Sequence, residues 1–161
     1  MAMDDVNFKV RLIESGIASE ETIIPVSPVE IEQIEKSFKV ILPATYKDFL
    51  LTAGRCAGDL MKDCTFFYPE ILSLNENARK MLKAYEGSSL LLPRNAFVFM
   101  DRVEQFLFFR GDKIYWYYED RRYFKELTYA SFSEFLECEL KALEEVRARI
   151  ANSNKENMGP P

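Results

Sequence analysis

The stretch FLFFRGDKIYWYY, residues 106–118, constrains the fold more than any other part of the chain. Two runs of aromatic and β-branched residues flank Gly111 and Asp112, a pair typical of tight turns. The pattern predicts a β-hairpin with a two-residue turn, because such runs favour strands and glycine tolerates the turn conformation. The expected pairs are Arg110 with Lys113, Phe109 with Ile114, and Leu107 with Trp116.

Alternation along this hairpin divides its side chains between two faces. One face is almost wholly apolar, and we expect it to enter the core through Leu107, Phe109, Ile114 and Trp116. The other face mixes aromatic rings with charged margins, so it is either covered by the protein or presented to a partner. It carries Phe106, Phe108, Tyr115 and Tyr117.

Helical patterns precede the hairpin. Ser27 and Glu30 have the spacing of a capping box, and Ile31, Ile34 and Phe38 then fall on one helical face. Further helices are predicted over 4–14 and 69–86.

The next helix is predicted in ILPATYKDFLLTAG, residues 41–54. Pro43 suits a first helical turn, and Tyr46, Phe49 and Leu50 make an apolar stripe. Gly54 is expected to end the helix in the left-handed conformation.

The second half of the chain adds strands and a long helix. NAFVFMD, residues 95–101, reads as a further strand, and 120–130 as a short one. Ser131 and Glu134 form a second capping box, followed by a core-facing stripe that extends from Phe135 to Ile150. The fold class is therefore α+β, with an antiparallel or mixed sheet and helices packed against it. We expect one domain over 1–150 and a disordered polar tail over 151–161.

The 161 residues include no histidine, which restricts the catalytic mechanisms and metal sites that the chain can form. It removes Ser-His-Asp and Cys-His catalysis and histidine metal sites. The net charge of −5 opposes phosphate binding and suits a basic protein partner. With no apolar run near about 18 residues and no secretory pattern at the start, we expect a cytoplasmic protein with reduced cysteines.

Carboxylates gather around the hairpin and are the candidate site residues. Two paired carboxylates can hydrolyse glycosides or hold a metal, but acids at strand ends are also ordinary solvating groups. An acidic border that meets a basic protein is the favoured interpretation. Base stacking on the aromatic strands is disfavoured because the basic border of RNA-binding sheets is missing. The carboxylates are Asp101, Glu104, Asp112, Glu119 and Asp120.

The segment VEIEQIEKSFKVILPATYKDFLLTAG, residues 29–54, resembles the characteristic stretch of the SUKH superfamily, which includes a fungal cell-wall-assembly regulator and bacterial toxin-immunity proteins. The order of the later parts is also similar, so the resemblance covers residues 24–143. Ala53 departs from it, because the family usually has asparagine there. The matching signature residues are Leu42, Pro43, Tyr46, Phe49, Leu50 and Gly54, and the resemblance implies a structural role for them.

The resemblance implies a SUKH-like α+β fold and a binding role rather than an enzyme, without catalytic residues, cofactor or metal. The leading hypothesis is an immunity protein that neutralises a cognate basic toxin, such as a nuclease, by direct contact. It would act as a monomer or weak homodimer and contact neither nucleic acid nor membrane. The alternatives are a regulatory scaffold of the cell-wall-assembly type and a carboxylate-based enzyme or small-ligand binder. The expected contact residues are Glu104, Tyr115, Tyr117, Glu119 and Asp120.

Overall fold

A computed structural model describes residues 5–85, 89–119 and 122–157. These residues form five α-helices and two antiparallel sheets, which confirms the predicted α+β class. The helices are α1 (Asp5–Glu14), α2 (Pro28–Phe38), α3 (Ala44–Ala53), α4 (Leu74–Ala84) and α5 (Phe132–Asn157). The strands are β1 (Ile23–Ile24), β2 (Cys56–Ala57), β3 (Phe97–Arg102), β4 (Gln105–Arg110), β5 (Lys113–Tyr118) and β6 (Lys125–Glu126). Two end residues of predicted helices lie outside the described residues. They are Asp4, of the helix predicted over 4–14, and Glu86, of the helix predicted over 69–86.

The larger sheet has the strand order β3-β4-β5-β6, and every neighbouring pair is antiparallel. The predicted hairpin is confirmed with its register, since Arg110 faces Lys113 and Leu107 faces Trp116. Gly111 has φ +60°, which explains the glycine at this turn. The register of β3 against β4 shifts between Val98 and Met100, so Phe99 sits at a β-bulge.

The start of α2 agrees with the prediction from sequence, whereas the end of α3 differs from it. The predicted capping box of α2 is confirmed, because Glu30 N–H donates to Ser27 Oγ (3.3 Å) and Ser27 N–H to Glu30 Oε2 (3.0 Å). The left-handed conformation expected for Gly54 is wrong, because its φ is −66°. A Cβ at Gly54 would lie 2.7 Å from the Leu50 carbonyl oxygen and 2.8 Å from Val26 Cγ2. Close packing, rather than a left-handed turn, therefore requires glycine here.

The helices α3 and α5 pack on one face of the larger sheet through aromatic side chains. The Tyr46 ring on α3 lies 4.9 Å from the rings of Phe109 and Phe132, and Phe99 stacks on Phe109 at 4.2 Å. All four side chains are buried. The bulge at Phe99 aims its ring into this layer, so the interface depends on aromatic packing between strand and helix.

The opposite face of the sheet is covered as well. Phe124, from the segment between β5 and β6, packs edge-on against Phe108 at 5.0 Å and lies 6.0 Å from Tyr117. Phe106 and Tyr117 stack at 5.0 Å, and both are buried. Of the two possibilities left open for this face, the structure therefore supports a covered surface.

The outer edge of β3 is closed by groups that are not part of the sheet. The buried Asn75 amide donates to the Ala96 carbonyl (3.0 Å) and accepts from Val98 N–H (2.6 Å). Further along the strand, Thr65 and Asp101 exchange backbone hydrogen bonds of 2.8 and 3.0 Å. These contacts hold the strand that leads into the β3–β4 turn.

The sequence predicted that the apolar stripe of α5 faces the core from Phe135 to Ile150. Only the first part of the stripe is buried. Leu136 and Leu140 are buried, but Val146 and Ile150 are exposed. The reason is length: α5 has 26 residues, about 39 Å, and overruns the shorter helices beside it. The helix also continues beyond the expected domain end at residue 150, because 151–157 contain no glycine or proline. Residues 158–161 of the predicted tail lie outside the described residues.

The hydroxyl group of Tyr46 is fully buried and finds no hydrogen-bond partner among the described residues. Burial also raises the pKa of Tyr46. Tyr46→Phe should therefore stabilise the protein by about 1 kcal/mol, since it removes an uncompensated polar group and keeps the ring. Thermal unfolding should show a Tm rise of about 3 °C. Tyr123→Phe, at an exposed position, should leave Tm unchanged, and a lower Tm for Tyr46→Phe would contradict the prediction.

Candidate partner-binding surface

Two of the predicted contact residues meet at one end of the larger sheet. Glu104 occupies the two-residue turn between β3 and β4, and Glu119 directly follows β5. Glu119 N–H donates to the Glu104 carbonyl at 2.7 Å, which extends the β4–β5 pairing by one step. Neighbouring strands lie about 4.8 Å apart, so the two carboxylates share one surface.

The other predicted contact residues are buried, lie further along the sheet or fall outside the described residues. Tyr117 is buried against Phe106 and Phe124, so its assignment as a contact residue is wrong. Tyr115 lies further along β5, and its hydroxyl donates to Glu126 Oε2 at 3.0 Å. Asp120 lies outside the described residues.

The same end of the sheet exposes apolar groups that the sequence analysis did not select. Val103 is 81 % exposed, and Tyr118 is 37 % exposed. The indole N–H of Trp116 donates to Gln105 Oε1 at 2.8 Å, and the Trp116 ring lies 5.8 Å from that of Tyr118. We name this region the hairpin-end surface, defined by Val103, Glu104, Gln105, Trp116, Tyr118 and Glu119. An apolar residue in a two-residue turn, and an aromatic two positions after Trp116, are the sequence signals that could have indicated it.

The hairpin-end surface carries two carboxylates, those of Glu104 and Glu119. Within residues 5–85, 89–119 and 122–157, neither Glu104 nor Glu119 forms an ion pair. The nearby Arg102 is already engaged, because its Nε lies 3.1 Å from Asp63 Oδ2 and its Nη2 lies 3.8 Å from Glu139 Oε2. The surface therefore presents negative charge beside exposed apolar groups.

A groove of about 390 Å³ separates the turn from the 62–65 segment. Asp101 and Cys64 lie in its wall, beside Arg102 and Val103. Burial raises the pKa of Asp101, and burial raises the pKa of Cys64 to about 12. The Cys64 thiol therefore stays protonated near neutral pH and is poorly suited to act as a nucleophile.

The carboxylates that the sequence grouped together do not form one site. Asp112 lies in the β4–β5 turn, at the opposite end of the sheet from Glu104. In the described part of the chain, no three Cys, Asp or Glu side chains are arranged to hold a metal ion. None of the described helices is long and apolar enough to cross a membrane.

The helices on an antiparallel sheet define an α+β domain of the kind expected for the SUKH superfamily. The model of the SMI1 / KNR4 family (SUKH-1) matches residues 25–138. The chain therefore belongs to the SMI1 / KNR4 family. Searches of curated proteins and of solved structures return no significant match.

The matched region contains all six signature residues, and each has a structural role. Leu42, Tyr46, Phe49 and Leu50 are buried in the core, and Gly54 permits close packing against Leu50. Pro43 precedes the first residue of α3, and its carbonyl accepts the Lys47 N–H at 3.0 Å.

Proposed function

We propose that this protein is an immunity protein that binds and neutralises a cognate toxin in the cytoplasm. The observation that carries the proposal is the family match over residues 25–138, since bacterial members of this superfamily commonly neutralise toxins by direct contact. The protein acts by binding rather than catalysis and uses no cofactor. It needs no contact with nucleic acid or membrane.

The hairpin-end surface supports a basic toxin as the partner. Its two carboxylates, Glu104 and Glu119, lack intramolecular ion pairs within the described residues, so a partner's cations can pair with them without breaking existing contacts. Exposed Val103 and Tyr118 beside them provide apolar area for the centre of an interface. A net charge of −5 adds long-range attraction to a basic surface, such as the substrate groove of a nuclease.

The first test co-expresses the protein with the toxin encoded by the neighbouring gene. The wild type should form a one-to-one complex and protect the cells. Glu104→Lys combined with Glu119→Lys should weaken the Kd by about 100-fold, because like charges then face each other across the interface. Calorimetry and a growth assay measure the two effects.

Asp112→Lys is the matched control, since Asp112 is an exposed acid at the opposite turn. It should bind and protect like the wild type. Failure of the wild type to bind would contradict the immunity function, and capture of several unrelated host proteins instead would favour a regulatory scaffold.

A further inference from the structure

The two hairpin turns of the larger sheet are built from contrasting residue types. In the β4–β5 turn, Gly111 adopts φ +60°, as turn chemistry prefers. In the β3–β4 turn, Glu104 adopts φ +64°, a conformation that residues with a Cβ rarely take. Its neighbour Val103 is a β-branched apolar residue that is 81 % exposed. Two features of the β3–β4 turn, the positive φ of Glu104 and the exposure of Val103, are therefore unfavourable for folding alone.

A second non-glycine residue with positive φ directly precedes Lys62, which lines the groove beside the turn. Met61 adopts φ +55° in the segment that continues through Lys62 to the groove beside Val103. The third non-glycine residue with positive φ in the described chain, Lys39, simply ends α2. Backbone strain of this kind concentrates at binding sites, where the surrounding structure maintains it.

The charges at the turn indicate which chemistry would cover it. Glu104 and Glu119 form no ion pair within the described residues, whereas Arg102 is shared between Asp63 and Glu139. The exposed valine is therefore bordered by carboxylates that no cation among the described residues neutralises. An anionic membrane or nucleic acid would be repelled there, and a basic protein surface would be attracted.

We propose that the Val103–Glu104 turn is the docking element of this protein, in which Val103 enters an apolar pocket of a basic protein partner. Lysine or arginine side chains at the edge of that pocket pair with Glu104 and Glu119. This assignment rests on the proposed function, with the toxin as the partner, and it assigns the centre of the interface to the turn. The strained turn projects Val103 and orients the Glu104 carboxylate.

The experiment measures thermal stability and toxin affinity for the same variants, using the toxin encoded by the neighbouring gene. Glu104→Gly should raise Tm by about 2–4 °C, because glycine relieves the positive φ, and should weaken the Kd at least about tenfold. Val103→Ser should leave Tm within about 1 °C and also weaken the Kd about tenfold or more, because it removes the central apolar contact. Asp112→Ser, in the other turn, should leave the Kd unchanged.

The outcomes separate this proposal from the function on which it rests. If the wild type does not bind the toxin, both are overturned. If the wild type binds and both turn variants bind equally well, the immunity function stands and the docking role of the turn is overturned. A lower Tm for Glu104→Gly would contradict the claim that the positive φ of Glu104 strains the turn. Sedimentation that shows a dimer of the protein alone, dissolved by Val103→Ser, would place a second copy on the turn and overturn the proposal.

Discussion

Phe99→Ala should lower the free energy of unfolding by about 4 kcal/mol. Phe99 is wholly buried, stacks on Phe109 at 4.2 Å and meets Phe132 and Phe135 edge-on, each at 5.6 Å. Truncation removes these contacts and leaves a cavity between rigid rings, which can close only partly. A domain of this size has a total stability of about 5–15 kcal/mol, so the loss is a large fraction. Urea unfolding followed by circular dichroism measures it.

The matched control is Tyr123→Ala, which removes an aromatic ring from an exposed position. It should change the free energy of unfolding by no more than about 0.5 kcal/mol. A loss below about 1.5 kcal/mol for Phe99→Ala would show that the aromatic layer repacks around the missing ring, contrary to the prediction.

The position of Phe99 links the core to the proposed binding surface. It sits at the bulge of β3, three residues before Arg102 and the turn that follows. A bulge bends and twists the strand that carries it. The direction in which Val103 and Glu104 project is therefore set by the same feature that aims Phe99 into the core.

Local patterns made the hairpin and the first helices predictable from sequence. The turn at Gly111 and the alternation around it define a single register, because a shift by one residue would move every side chain to the other face. Ser27 and Glu30 likewise define the start of α2 through contacts only three residues apart. Such features depend on near neighbours, which the sequence displays directly.

Features that depend on distant parts of the chain were not predictable in this way. The burial of Tyr117 depends on Phe124, whose position follows from the path of the chain after β5. The close packing at Gly54 involves Val26, 28 residues away in sequence. The exposure of Ile150 reflects how far α5 outruns the elements beside it. A periodic pattern identifies a face but does not identify what covers that face.

The candidate site likewise combines residues that were predicted from sequence with one that was not. Glu104 and Glu119 were selected from sequence because acids at strand ends suit a basic partner, and the structure places them side by side. Val103 was missed, because its apolar side chain in a two-residue turn indicates a surface only once the bounds of β3 and β4 are known.

Asn75→Ala should lower the free energy of unfolding by about 3 kcal/mol and loosen the strand that supports the hairpin-end surface. The buried amide bonds both the Ala96 carbonyl, at 3.0 Å, and Val98 N–H, at 2.6 Å. Alanine would leave both backbone groups buried without a partner, and each costs about 1–3 kcal/mol. Hydrogen exchange should then rise along β3 towards Arg102, measured by mass spectrometry together with urea unfolding.

Two further variants test the mechanism of this effect. Asn77→Ala makes the same change at an exposed position of α4 and should be neutral, because no buried backbone group among the described residues bonds to Asn77. Asn75→Asp keeps the acceptor for Val98 N–H but turns a carboxylate oxygen towards the Ala96 carbonyl. Its carboxyl pKa should therefore be higher in the folded state than in the unfolded chain. The folded state then binds more protons, so stability should fall as pH rises through the carboxyl range and recover in acid. Equal stability of Asn75→Ala and wild type, or pH-independent stability of Asn75→Asp relative to wild type, would contradict the assigned hydrogen bonds.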